Sequence, residues 1–258
     1  MKIAITTMND PLVTDDLISY FIENTNHKIE AVFVSETSQF DDIVSNSSQI
    51  NVVHPFTLLL IAGPFAAFKK AIKAAKSKLS NLISGKPYLE RICKINNIKY
   101  FESKYADQNN IVEFIKNKNV DLVINQSQEI LSQSFLKSPR IGVLNRHNSI
   151  LPHYRGRLAP FWVLKNKEKI TGVAIHLIGD KIDRGPLIVQ KILRIDGDET
   201  YESLTHKSYQ LAKKGLVQAV DRLDERDVTT FKIPNGKGSY FGFPSLRDAL
   251  AYRFGDFL

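Results

Sequence analysis

The segment VDLVINQ, residues 120–126, limits the fold more than any other stretch. Leu122, Val123 and Ile124 form an apolar run with no polar residue between them. The run is too short for a helix and does not alternate as a half-exposed strand would, so it reads as a strand covered on both faces. Such strands belong to parallel sheets, whose neighbours must be joined by long crossovers. The flanking sequence supplies them. KIAITT (2–7), KIEAVFVSE (28–36), KYFES (99–103) and IGVLN (141–145) read as further strands. Helical patterns lie between them at LVTDDLISYFIEN (12–24), from the SGKP turn (84–87) to Ile95, and at NNIVEFIKNK (109–118). Strand and helix alternate through the first 170 or so residues, which predicts an α/β domain with a mostly parallel sheet.

After a helix near 159–166, TGVAIHLI (171–178) and PLIVQKILRI (186–195) follow with no helix between them, so an antiparallel edge is expected there. A long helix is predicted over 201–223, then a turn-rich tail containing IPNGKGSYFGFPS. The expected organisation is a catalytic domain over 1–195, followed by a helix and a small β-rich extension over 196–258. TSQFDDIVSNSSQIN (37–51) is read as a loop. Phe231, Tyr240, Phe241 and Phe243, near Lys232 and Lys237, are expected to pack a small C-terminal hairpin; base stacking is the other reading.

The charge balance bears on partners. A net charge of +8 and a pI near 9.4 suit an anionic partner, whether nucleic acid, membrane surface or phosphorylated small molecule. Cys93 is the only cysteine, which excludes an intrachain disulfide and fits a reducing cytoplasm. The opening residues lack the apolar stretch of a signal peptide. The longest apolar run, FTLLLIAGPFAAF (56–68), is too short to span a bilayer and carries Gly63-Pro64 in its middle. Residues 56–80 are predicted as one amphipathic helix, with Phe65, Phe68, Ile72, Ala75 and Leu79 at three- and four-residue steps and lysines on the remaining faces. It is read as a surface helix with a solvated lysine face, with contact to a membrane surface or phosphate as the sharper alternative. Neither nucleotide-binding glycine motif, no zinc spacing and no nucleophile elbow is present; no metal is expected.

The chemistry concentrates in NRHNSILPHYRG, residues 145–156. Ligands of open α/β sheets sit beyond the carboxyl ends of strands, and Asn145 and His147 fall at such an end. Two residues apart in an extended chain, they point to one side. An Asn amide can donate to a developing oxyanion, and a His can move protons near neutral pH. Asp183, in HLIGDKIDRGP, is the best candidate to orient the His, with Asp180 the nearby competitor. Ser149 has no base in sequence reach, so direct attack by a substrate amine fits better than a covalent intermediate. The same residue types also serve as turn formers and caps.

These residues resemble the folate-dependent formyltransferase family. Its Asn-x-His followed by Ser-x-Leu-Pro-x-Tyr-Arg-Gly is matched by Asn145, His147 and the run Ser149 to Gly156. Its second block, Gly-x-x-x-His and then Asp-x-Gly-Pro, is matched by GVAIHLIGDKIDRGP, with His176, Asp183, Gly185 and Pro186. The resemblance runs from about 95 to 205. It implies a Rossmann-like domain that binds 10-formyltetrahydrofolate as co-substrate. Asn145 would then polarise the formyl oxygen, His147 serve as acid–base group, and Asp183 orient it. Backbone groups of Gln128, Glu129, Ile130 and Leu131, and of Ile178, Gly179 and Asp180 in the loop leading to Asp183, would meet the pterin. Arg146, Asn148 and Arg184 depart from the family pattern and would reshape the acceptor side.

The resemblance also narrows the acceptor. The sequence carries no Gly-Ser-rich loop after the first strand, as glycinamide-ribonucleotide transformylases have. Its tail is short for the barrel of methionyl-tRNA formyltransferases. It looks most like the sugar N-formyltransferases of polysaccharide biosynthesis, which act on an amino sugar carried on a nucleotide. Ser149, Tyr154, Arg155 and Arg157 are candidate substrate contacts, with Arg184 a further possible phosphate contact. Other acceptor amines (tRNA-bound methionine, glycinamide ribonucleotide, a hydroxylated amino acid) are alternatives. So is a non-enzymatic basic protein binding nucleic acid or a membrane surface. The expected protein is cytoplasmic and free of transmembrane segments, binds no nucleic acid, and forms a homodimer if the C-terminal apolar residues are exposed.

Overall fold

A computed structural model describes residues 1–8, 14–36, 50–127, 129–225 and 238–255. They divide into two compact units, 1–46 with 72–145 and 47–71 with 146–258. The second unit joins residues from both sides of the boundary expected near 195.

In the first unit, strands β1 (Lys2–Met8) and β2 (Lys28–Ser35) are joined through helix α1 (Thr14–Asn24). Helix α2 (Ile50–Ala62) belongs to the second unit, and α3 (Pro64–Ser84) begins there. The first unit resumes with α4 (Tyr88–Ile95), β3 (Lys99–Ser103), α5 (Asn109–Asn117), β4 (Leu122–Gln126), the short α6 (Gln133–Leu136) and β5 (Gly142–His147). Strands pair in the order β3-β2-β1-β4-β5, and every one of these pairings is parallel. β4 is buried along its whole length, as its unbroken apolar run requires. Ile3, Ile5, Leu122 and Ile124 of the central strands are fully covered, as are Leu17 and Phe21 of α1 and Ile111 and Ile115 of α5. The first unit is therefore the parallel α/β arrangement expected from the sequence.

The second unit holds the two-residue β6 (Arg155–Gly156), α7 (Ala159–Lys165), β7 (Ile170–Leu177), β8 (Leu187–Arg194), α8 (Tyr201–Asp224), the two-residue β9 (Tyr240–Phe241) and α9 (Leu246–Phe254). β7 and β8 are antiparallel, as their missing crossover predicts. α8 packs on both, and its Leu204, Ala212, Leu216 and Ala219 are buried. Its N-terminus is closed by a capping box between Thr200 and Ser203.

Four expectations change. The helix predicted over 56–80 is two helices separated at Gly63. The first ends at Gly63, whose φ of +84° is left-handed, and Pro64 opens the second. The first begins at Ile50, inside the stretch read as loop; residues 37–49 of that loop lie outside the described residues. The C-terminal extension is helical as much as β. Ser245 caps α9, its hydroxyl and the Asp248 carboxylate forming a second capping box. No C-terminal hairpin forms among the described residues: β9 pairs in parallel with β6, and Phe241 stacks on both Tyr154 and Trp162. Phe231, Lys232 and Lys237 lie outside the described residues.

Candidate active site

The site is built on the end of β5 and the turn after it. β5 delivers Asn145 in register with Asn125 of β4. It then continues through Arg146 to His147, so Asn145 and His147 share one face of the strand. The chain next reverses through Ser149 to Tyr154 with a cis peptide at Leu151–Pro152. The buried Ser149 hydroxyl donates to the His153 carbonyl at 2.9 Å. The turn presents the Tyr154 carbonyl to His147, whose Nε2 donates to it at 2.8 Å. Tyr154 takes a positive φ of 55° to do so.

Gly156 fixes the other side. Its φ is +97°, and a Cβ there would collide with the Phe241 carbonyl oxygen of β9. Its N–H donates to Asp183 Oδ2 at 2.8 Å. Asp183 arrives from the loop between β7 and β8, where a Cβ on Gly185 would run into the Leu177 carbonyl. That close approach brings the loop back across the end of β7, beside His176.

Three titratable groups meet as a result. Asp183 Oδ2 is 3.5 Å from His147 Nδ1, and Oδ1 is 3.5 Å from His176 Nε2. All three side chains are buried. At 3.5 Å these are charge contacts rather than well-formed hydrogen bonds, and His176 Nε2 has no hydrogen-bond partner among the described residues. His176 Nδ1 donates to the Leu177 carbonyl at 2.9 Å. Each ring thus gives its other N–H to a backbone carbonyl, an assignment that follows from those acceptors. In the neutral rings, the nitrogens facing Asp183 carry the lone pairs. A proton taken up by either ring lands beside the carboxylate.

The electrostatics follow. Burial raises the Asp183 carboxyl, but the neighbouring His176 and His147 rings and the Gly156 N–H outweigh it and hold the pKa down at about 2. Burial lowers the His147 pKa, and Asp183 and the Tyr154 carbonyl only partly restore it. The pair therefore rests as a carboxylate beside a neutral imidazole, able to accept one proton at a defined place.

In the first unit, buried polar residues gather at the carboxyl ends of β1, β2 and β4. The Thr6 hydroxyl donates to Asn125 Oδ1 at 2.9 Å, the Ser127 hydroxyl donates to the same oxygen at 2.8 Å, and the Ser35 hydroxyl donates to the Thr7 carbonyl at 3.2 Å. This is the end of a parallel sheet where ligands bind.

Comparison with known proteins decides the family. The family described as Formyl transferase matches residues 24–220. The chain belongs to the formyl transferase family. A methionyl-tRNA formyltransferase from Thermotoga maritima is 27% identical over 153 residues, covering 59% of this chain and 49% of that protein. A GDP-perosamine N-formyltransferase from Brucella melitensis is 29% identical over 154 residues, covering 59% and 58%. The chain thus spans about half the length of the curated relatives it matches. Among solved structures, glycinamide ribonucleotide transformylase 1 from Symbiobacterium toebii aligns with a TM-score of 0.62 at 13% identity, covering 92% of both chains. An N-formyltransferase from Helicobacter canadensis, in complex with folinic acid and dTDP-3-aminofucose, aligns at 0.58 and 18% identity, covering 94% of this chain and 71% of that one. At these identities the solved structures establish the formyltransferase fold, which is α/β with a mostly parallel sheet.

The structure places the other expected residues as follows. Ser149 serves the turn. The Tyr154 hydroxyl donates to Glu168 at 2.6 Å and accepts from Asn166 at 3.1 Å. The Arg155 and Arg157 guanidinium groups lie 6.0 Å from the rings of Tyr240 and Phe243 respectively. Glu129 turns its carboxylate back to the Ala106 N–H at 3.0 Å, while Ile130 is exposed and Leu131 half-buried. Gln128 lies outside the described residues. Ile178, Gly179 and Asp180 follow β7, with the exposed Asp180 apart from the histidines and Asp183 in the charge contacts. The unusual Arg146 hydrogen bonds to Asn148 and to the Tyr209 hydroxyl, and lies 4.2 Å from the Tyr209 ring centre.

Sequence reasoning gave His176 no role, although it sat in the quoted motif. The signal was its place on a strand with Asp183 just beyond the strand's end. Tyr209 could not have been found, because its contact depends on how α8 packs.

Proposed function

We propose that this protein transfers a formyl group from 10-formyltetrahydrofolate to the amine of a nucleotide-linked amino sugar. The observation that carries the transfer is the buried Asp183 carboxylate between His147 and His176, with Asn145 two residues before His147 on β5. The acceptor nitrogen attacks the formyl carbon, and the carbonyl electrons move to oxygen. The Asn145 amide donates to that oxyanion. The proton shed by the nitrogen passes to His147, where Asp183 balances the new positive charge. Its return to the folate N10 lets the C–N10 bond break, leaving a formamide and tetrahydrofolate. In this reading, backbone groups of Gln128 to Leu131 and of Ile178 to Asp180 hold the pterin. Arg155 and Arg157 face the phosphates.

The likeness to a GDP-perosamine N-formyltransferase supports the acceptor, as does the net charge of +8. The likeness to methionyl-tRNA formyltransferases favours a second reading, a tRNA-bound amine. One experiment separates them: purified protein, 10-formyltetrahydrofolate, and a panel of nucleotide-linked amino sugars, methionyl-tRNA and glycinamide ribonucleotide, followed by release of tetrahydrofolate. Turnover only with a nucleotide sugar is expected. Turnover only with methionyl-tRNA or glycinamide ribonucleotide would replace the acceptor, and full activity in His147→Ala would sink the mechanism.

A further inference from the structure

Helix α3 is packed inside out. Its half-covered residues are small or polar: Ala67, Ala74, Ser77, Asn81 and Ser84. Its large apolar residues point the other way. Phe65 and Phe68 are 69% and 62% exposed, and Leu82 and Ile83 are 80% and 79% exposed; Ile72 and Leu79 are exposed as well. At 100° per residue these six fall on one side of the helix. The preceding helix leaves Phe56 and Leu59 open too. An apolar stripe of this kind at a helix surface marks an interaction site.

The charges say what kind. α3 contains five lysines, at 69, 70, 73, 76 and 78, and no acidic residue. Lys69 and Lys76 border the stripe on one side and Lys78 on the other, with the Lys69 ammonium 4.5 Å above the Phe65 ring. Apposing this face with that of a second copy would set lysines against lysines with no acid on either helix. An anionic bilayer meets both features: its acyl boundary accepts the apolar side chains while the lysine stems reach its headgroups. Among the described residues no single helix is long and apolar enough to cross a membrane, and α3 passes that test only together with α2 across a bend of 107°; its lysines flanking the apolar stripe on both sides favour a helix lying in the plane of the surface.

We propose that α3 docks the protein reversibly on an anionic lipid surface. The test is co-sedimentation of the full chain with phosphatidylcholine vesicles, with and without phosphatidylglycerol. Binding is expected only to the anionic vesicles, weakening as salt rises. Phe68→Asp with Leu82→Asp should reduce it at least about tenfold. Each of Lys69→Gln, Lys76→Gln and Lys78→Gln should cost about fivefold. These side chains are exposed, so thermal unfolding of the variants should match the parent. Binding to neither vesicle, equal binding to both, or anionic binding that survives Phe68→Asp with Leu82→Asp would overturn the proposal. So would a lipid-free dimer in sedimentation velocity that these substitutions dissolve, together with no vesicle binding.

Discussion

His147 is held by two partners that both favour its protonated form against the burial that disfavours it. The Tyr154 carbonyl fixes which nitrogen carries the proton, and Asp183 waits to stabilise the charged ring. In the proposed mechanism His147 is the acid–base group, so His147→Ala should lower kcat by about 10²–10⁴-fold. Asn145→Ala, which in the same mechanism removes the oxyanion donor, should lower it by about 10²–10³-fold. Steady-state kinetics with the acceptor found in the panel would measure both, and a change confined to KM would contradict these roles. His176 acts one step away, through the carboxylate. His176→Gln strips Asp183 of one of the two rings that hold its pKa near 2. The Asp183 carboxyl should then titrate closer to the ordinary carboxylate range, and carbon-detected NMR of that side chain would report it. An unmoved titration would show that His176 only fills space.

At the level of elements, the site depends on a short parallel pairing that lies far apart in sequence. β6 and β9 pair through Gly156 and Phe241, and the same glycine donates to Asp183. Gly156→Ala meets both a positive φ and the Phe241 carbonyl. It should destabilise the protein by more than about 1 kcal/mol and lower activity together with it, measured by urea unfolding and turnover on one preparation. The strands of the first unit were legible because Leu122, Val123 and Ile124 allow no alternative to a doubly covered strand. The approach of Asp183 to His147 was legible because motif and strand end coincided. α9 and the β6–β9 pairing were not legible. Ser245 and Asp248 form a capping box that stands in a turn-rich tail, and a two-residue pairing between residues some 85 apart leaves no periodic signal. The outward apolar face of α3 was misread for a related reason: periodicity shows that a helix has an apolar side, but not which side the fold covers.

For the whole molecule, the site couples folding to pH. Asp183 and His147 both have lowered pKa values in the folded state. Between the folded and unfolded values the unfolded chain binds more protons, so both groups make stability rise with pH in their windows. For His147 the contribution is complete above about pH 6.5 and is lost as pH falls toward its folded value. For Asp183 it is complete above about pH 4 and is lost as pH falls to about 2, an effect on the order of 2 kcal/mol for this mostly buried carboxylate. Urea unfolding across pH should therefore show two successive losses rather than one. His147→Gln should flatten the upper loss and leave the lower one, although reduced, because Asp183 keeps His176. Asp183→Asn should remove the lower loss and steepen the upper, since His147 then charges with burial unopposed. A single loss untouched by either substitution would mean that the acid sensitivity arises elsewhere in the chain.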